Sequence, residues 1–153
     1  DYGCATLAGA PACLLDKLQS VMNAAARLIC SARKYDNVTP LLRELHWLRV
    51  PERITFRLAV YAYRCQHGLA PSYLADDIRR VADVESRRRL RSASTAQLLV
   101  PPTEHSTTGD RAFPVAAARA LNSLTSHVTS SLSLPVFRSR LKAELFARSF
   151  GAV

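Results

Sequence analysis

The chain has 153 residues, of which 48% are hydrophobic and 7% aromatic, and its formal net charge is +9. This length suits one domain, and the near-average hydrophobic content excludes a disordered or fibrous protein. Its 21 basic residues are 18 Arg and 3 Lys. Because the planar Arg guanidinium pairs well with phosphate, a polyanionic partner is the first hypothesis, and GC-rich coding is the alternative.

The first predicted helix runs from about Ala12 to Ala32. Its apolar residues recur at steps of three and four, which places them on one helical face. They are Leu14, Leu18, Val21, Met22, Ala25, Leu28 and Ile29. Arg33 and Lys34 follow in the last turn, where cations stabilise the negative end of the helix dipole.

Two further helices are predicted before residue 70. Thr39 as N-cap and Pro40 as first helical residue predict a short helix that ends near Trp47. A third helix begins at Val50 and ends at Gly68, which suits a left-handed cap. Its apolar stripe is Ile54, Leu58, Tyr61, Ala62 and Cys65, whereas Arg53, Arg57 and Arg64 lie on another face.

The composition changes at Ala70, beyond which Pro71–Leu74 predicts a turn or a single helical turn. Residues 79–91 then contain six Arg and two acidic residues, a net charge of +4 in a short segment. The pattern also leaves open a loose β-ribbon near residues 97–114, which would pair Leu98–Val100 with Ala112–Phe113. A helix over Pro114–Leu124 follows.

Ser133 and Pro135 predict the start of a last amphipathic helix. Its inward residues are expected to be Val136, Phe137, Leu141, Leu145 and Phe146. The fold class is therefore mainly α, a helical bundle with a carboxy-terminal helical extension. Three regions are expected: helices in 1–69, a basic, loop-rich linker in 70–111 and a carboxy-terminal helical segment in 112–153.

No pattern indicates a catalytic site in this chain. Asp76 and Asp77 are adjacent carboxylates, but they lack the flanking apolar strands of a polymerase metal site and are read as a solvated turn. For His46 a packed imidazole bonded to the backbone is favoured over a catalytic base. His67 stands at a helix end, where its cationic form would favour the helix dipole. Nucleotide-binding glycine motifs and zinc-ligand spacings do not occur in the sequence.

No signal-peptide pattern or membrane span is found in the sequence either. The longest uncharged run, Ala120–Phe137, is rich in Ser and Thr and contains Pro135. We therefore expect an intracellular protein without a membrane partner.

The ordered motifs resemble the carboxy-terminal part of the reverse transcriptase polyprotein of LINE-type non-LTR retrotransposons, over essentially the whole chain. The motifs are Asp1–Cys4, Leu14–Val21, Asn23–Ile29, Val38–Pro40, Leu42–Leu48, Val50, Arg53–Ile54, Gly68–Leu74, Leu90–Ser92, Val100–Pro101, Gly109–Phe113, Asn122–Leu124 and Phe137–Lys142. Two positions depart from the family, which usually has Trp where Leu121 stands and Pro where Thr125 stands.

The resemblance implies that the first helices form or follow the polymerase thumb and that the rest is a helical extension. It places the palm, with its catalytic aspartates and a divalent metal such as Mg²⁺, in a longer protein upstream of Asp1. The parent would be an RNA-directed DNA polymerase, whereas no catalytic residue or cofactor is expected in this chain. The implied location is the nucleus, with a cytoplasmic ribonucleoprotein stage.

The expected role is to hold the template RNA–DNA primer duplex during target-primed reverse transcription, next to the upstream polymerase domain. The residues expected to contact phosphates are Arg33, Lys34, Arg79, Arg80, Arg87, Arg88, Arg89, Arg91 and Arg111. One alternative is a protein-interaction module, in which Val136–Phe146 and Leu41–Leu48 dock on the polymerase body or on another copy. Another is a degenerate insertion with no function alone.

Overall fold

The computed structural model describes residues 3–83 and 97–151, and the described fold is all-α. The helices are α1 (Ala12–Ile29), α2 (Val38–Glu44), α3 (Val50–Gln66), α4 (Ser72–Ala75), α5 (Ser106–Gly109), α6 (Phe113–Asn122), α7 (Ser126–Thr129) and α8 (Leu134–Phe150). Short 3₁₀ turns lie at Cys4–Leu7 and Val81–Asp83. The mainly helical prediction is confirmed. No helix in the described ranges is long and apolar enough to cross a membrane.

Helix α3 lies at the centre of the fold and packs against both α6 and α8. Pro51 stands in its first turn, where a missing backbone N–H costs nothing. Ala59 and Ala62 of α3 and Ala117 and Ala118 of α6 are fully buried. The distance between two packed helix axes depends on the size of the side chains at the contact, so side chains this small let the two helices approach closely.

An aromatic pair joins α3 to α8 in the core. The rings of Tyr63 and Phe137 are stacked with their centroids 4.2 Å apart. The Tyr63 hydroxyl donates a hydrogen bond of 2.8 Å to the carbonyl of Ser131, so its polar end is satisfied inside the core. Leu141 and Leu145 continue this buried face of α8, as the sequence predicts.

The boundaries of the first two helices differ from those predicted. Helix α1 ends at Ile29 and not near Ala32, because Ser31 has a left-handed backbone with φ of 50°. The N-cap of α2 is Asn37 and not Thr39. The Asn37 side chain accepts a hydrogen bond of 3.0 Å from the Thr39 N–H, which satisfies one free donor of the first turn.

The β-ribbon considered for residues 97–114 does not form in the structure. Leu98 instead forms an isolated antiparallel bridge with Arg80, the only β-type pairing in the described ranges. The Asn122 side chain bonds both the N–H and the carbonyl of Leu98, at 2.9 and 2.8 Å. Phe113, the predicted partner, begins α6, since Pro114 is well placed in a first helical turn.

The carboxy-terminal helices begin close to the predicted positions. Ser133 is the N-cap residue of α8, and Pro135 stands in its first turn. Of the expected inward residues, Phe137, Leu141 and Leu145 are buried, whereas Val136 is 42% exposed. Packing of α3 on α6 and α8 joins the first and third predicted regions, and the three-region division stays a prediction.

Candidate nucleic-acid interface

The first two predicted phosphate contacts lie in the turn between α1 and α2. Arg33 and Lys34 are both exposed. The turn is held by a hydrogen bond of 2.6 Å from the Arg33 N–H to the Asp36 carboxylate. The Lys34 ammonium lies 5.7 Å from the ring centroid of Tyr35, which is itself exposed. Both cations are therefore available to a partner on this side of the molecule.

The other predicted contacts lie on separate segments. Arg79 and Arg80 are exposed after α4, and Arg111 is exposed before α6, where its Nε donates a hydrogen bond to the carbonyl of Ala8. The remaining four predicted residues, Arg87, Arg88, Arg89 and Arg91, lie outside the described ranges. The described members of the predicted set thus stand on three different segments of the fold.

A different group of basic residues converges on one cavity between α3 and α8. Arg53 and Arg57 lie one turn apart on α3, and Arg138 and Lys142 lie one turn apart on α8. The cavity has a volume of about 300 Å³, and the rest of its lining is His46, Trp47, Leu48 and Phe56. Packing of α8 against α3 therefore brings two basic pairs to the same surface.

Arg53 is held in place by its neighbours. Its guanidinium carbon lies 5.5 Å from the centroid of the Trp47 ring, and its Nε donates a hydrogen bond of 3.1 Å to the carbonyl of Leu48. Burial lowers the pKa of Arg53, and an electrostatic interaction with Cys4 opposes that shift. Since burial disfavours the charged form, an anion in the cavity would offset part of this cost.

His46 forms the edge of the cavity. It has a left-handed backbone with φ of 53°, and its Nδ1 lies 2.9 Å from the carbonyl of Arg43. The predicted bond between the imidazole and the backbone is therefore present, although the side chain is exposed. Its ring also lies 5.9 Å from that of Phe146, which ties the α2–α3 connection to α8.

The lining of this cavity is basic as far as the described residues form it. No Asp or Glu belongs to the lining formed by the described residues. The acidic residue of α8, Glu144, instead pairs with Arg148 and accepts a hydrogen bond from the Thr125 hydroxyl. Like charges one turn apart repel one another, so an anionic group is the chemistry that this arrangement favours.

Sequence reasoning missed these four cations as a site. It placed Arg53 and Arg57 on a separate face of the third helix, but it gave neither of them a partner. The available signal was a pair of basic residues four positions apart on each of two helices, at 53/57 and 138/142. Nothing in the sequence showed that the two helices would pack with these pairs facing the same cavity.

The residues considered for chemistry do not assemble into an active site. Asp76 and Asp77 are exposed on a turn, as predicted. Burial and then the charge of Arg80 lower the pKa of His67, which disfavours the cationic form considered for this helix end. In the described part of the chain, no cluster of His, Cys, Asp or Glu could hold a metal ion.

No protein-family model, no curated protein and no solved structure matches this chain.

Proposed function

We propose that this chain binds the phosphate backbone of nucleic acid through the α3–α8 basic cavity. The observation that carries the proposal is the convergence of Arg53, Arg57, Arg138 and Lys142 around Trp47, with Arg138 and Lys142 exposed to solvent. Guanidinium and ammonium groups bind phosphates irrespective of base sequence, and each contact adds affinity that salt weakens.

The resemblance to LINE-type reverse transcriptases favours an RNA–DNA template–primer duplex as the ligand. In that role the chain is the thumb and tail of a longer polymerase, and the catalytic metal belongs to the upstream palm. The exposed Arg33, Lys34, Arg79, Arg80 and Arg111 then add weaker contacts along the same duplex. A nuclear protein with a cytoplasmic ribonucleoprotein stage is part of this proposal.

The test is a salt series of binding to a fluorescent RNA–DNA hybrid. The double variant Arg138→Gln/Lys142→Gln removes two exposed cations from the cavity. We expect weaker binding at low salt and a log–log salt slope that is less steep by about 2, one for each lost phosphate contact.

The matched control is Lys17→Gln/Arg140→Gln, which removes the same two charge types. Lys17 is exposed on α1, and Arg140 lies on α8 but bonds to the carbonyl of His127, away from the cavity. The control is expected to keep the wild-type slope. Equal slopes for the two double variants would contradict the proposed site.

A second candidate function rests on the surface of α1. Leu14, Val21 and Leu28 are 48%, 68% and 83% exposed, although they belong to the predicted apolar face of this helix. Helix α1 contacts the rest of the fold through the neighbouring flank, where Gln19 accepts a hydrogen bond from the Val50 N–H and Ala26 is buried. An uncovered apolar stripe of this kind is typical of a protein interface.

This second candidate is an interaction module that docks through α1 on the polymerase body or on another copy. The segments predicted for docking are less suitable, since Leu42, Leu48, Phe137 and Leu141 are buried in the fold. Sedimentation equilibrium, alone and with a purified polymerase domain, tests it with Val21→Glu and the control Ala24→Glu, both at exposed positions. A monomer that does not bind the polymerase domain would contradict this candidate.

A further inference from the structure

A second cavity adjoins the basic one and differs from it in chemistry. It has a volume of about 410 Å³ and is lined by His46, Ser139, Lys142, Ala143, Phe146, Ala147 and Gly151. His46 and Lys142 line both cavities, so the two form one continuous groove across the face of α8. We name it the α8 groove, with a basic half that contains Arg57 and Arg138 and an apolar half that contains Phe146.

We propose that the α8 groove binds one unpaired nucleotide, with its base in the apolar half and its phosphate in the basic half. This inference rests on the proposed function and specifies its ligand. A base has two flat apolar faces, and a phosphate carries its negative charge next to them. The groove offers the same two properties side by side, with Lys142 at the boundary.

The apolar half has the features of a stacking surface. Phe146 is partly buried against the core, and its position is fixed by the rings of Phe150, at 4.8 Å between centroids, and His46, at 5.9 Å. Ala143 and Ala147 are exposed and have small side chains, so the surface of α8 next to Phe146 is accessible to a ligand. Aromatic rings that are held in place in this way stack on any base, because every base has a π-face.

Only an unpaired base can reach this half of the groove. In a duplex both faces of a base are stacked and its edge is paired, whereas a base at an overhang is free to leave the helix axis. The charge of the groove favours the phosphate of a nucleotide, because Arg138 and Lys142 are exposed along it. An acidic amphipathic peptide is the competing occupant, and the experiment below includes it.

The experiment compares a blunt RNA–DNA hybrid with the same hybrid carrying one unpaired 2-aminopurine at a strand end. We expect the overhang to tighten binding by about 5- to 100-fold, the range for stacking of one base, and the 2-aminopurine fluorescence to be quenched on binding. The variant Ala147→Met fills the apolar half with a longer side chain at an exposed helical position. It is expected to lose the gain from the overhang and to keep the affinity for the blunt hybrid.

The matched control is Ala24→Met, at an exposed position of α1 away from the groove. Equal affinities for blunt and overhanging hybrids would overturn this inference and leave the proposed function standing. Failure to bind either hybrid would overturn both. Preferential binding of an acidic amphipathic peptide, lost in Ala147→Met, would also overturn the inference, because the groove would then be a peptide site.

Discussion

The guanidinium of Arg53 lies over the ring of Trp47, 5.5 Å from its centroid, while its Nε donates a hydrogen bond to the carbonyl of Leu48. Arg53 therefore stabilises the fold around the basic cavity and also contributes a positive charge to it. A cation over an indole ring and a charged hydrogen bond both contribute to stability.

We expect Arg53→Gln to lower the free energy of unfolding by about 1–2 kcal/mol, because Gln has no cation to place on Trp47. Urea denaturation followed by Trp47 fluorescence measures this change. Arg53→Lys is a useful comparison, since it keeps the charge but lacks the planar fork, and it should recover only part of the loss. Wild-type stability in Arg53→Gln would show that the contact contributes nothing.

The two cations that α8 contributes to the cavity, unlike Arg53, are not expected to stabilise the fold. Arg138 and Lys142 are exposed like charges one turn apart, and such pairs destabilise a helix by about 0.2–0.5 kcal/mol. Lys142→Gln should leave the free energy of unfolding unchanged or raise it by a few tenths of a kcal/mol, while it weakens hybrid binding. A loss of more than about 1 kcal/mol would assign Lys142 to the fold and not to a binding surface.

The core between α3 and α8 allows a direct test of the fold. Phe137 is fully buried and stacked on Tyr63, so Phe137→Ala should lower the free energy of unfolding by about 3–5 kcal/mol. Tyr63→Phe keeps the ring but leaves the Ser131 carbonyl without its donor, and should cost about 1–3 kcal/mol. Urea denaturation of both variants checks the order, and a smaller effect for Phe137→Ala would contradict this packing.

His67 is expected to make stability depend on pH. Burial and the charge of Arg80 lower the pKa of His67, and its ring stacks on Tyr63 with centroids 4.0 Å apart. The unfolded chain then takes up a proton at His67 at a higher pH than the folded chain does. The contribution of His67 to the free energy of unfolding is therefore fully present above about pH 6.5 and is lost as the pH falls through the folded pKa. Denaturation curves between pH 5 and 8, about the range where His titrates, should show this decline in the wild type and less of it in His67→Gln.

Local patterns predicted the helices well where one face is apolar and the ends carry Pro or Gly. Helix α3 begins at Val50 as predicted, and Gly68 just beyond it has φ of 66°, the left-handed conformation expected of it. The α2 cap was assigned to Thr39 because Asn37, two residues earlier, read only as part of a turn. Short-range rules thus located the longer helices, but not always the residue that starts each of them, and they did not find the single-turn helices α5 and α7.

The basic cavity and the bridge between Arg80 and Leu98 depend on contacts between distant segments. Leu98 is held by Asn122, on a helix that follows it, so no rule about neighbouring residues could find its partner. The cavity cations come from α3 and α8, which are far apart in the sequence, and only the packing of α3 on α8 brings them together. A run of Arg is visible in a sequence, whereas a cluster assembled by tertiary contacts is not.

The most direct test of the central claim uses the three lysines of the chain, Lys17, Lys34 and Lys142, all of which are exposed. Their reaction with an amine-specific reagent, measured by mass spectrometry with and without saturating RNA–DNA hybrid, reports which of them contacts phosphate. We expect the hybrid to protect Lys142 several-fold and to leave Lys17 unchanged. Protection of Lys34 would extend the contact to the α1–α2 turn. Equal reactivity of Lys142 in the presence and absence of bound hybrid would contradict a phosphate-binding role for the α3–α8 cavity.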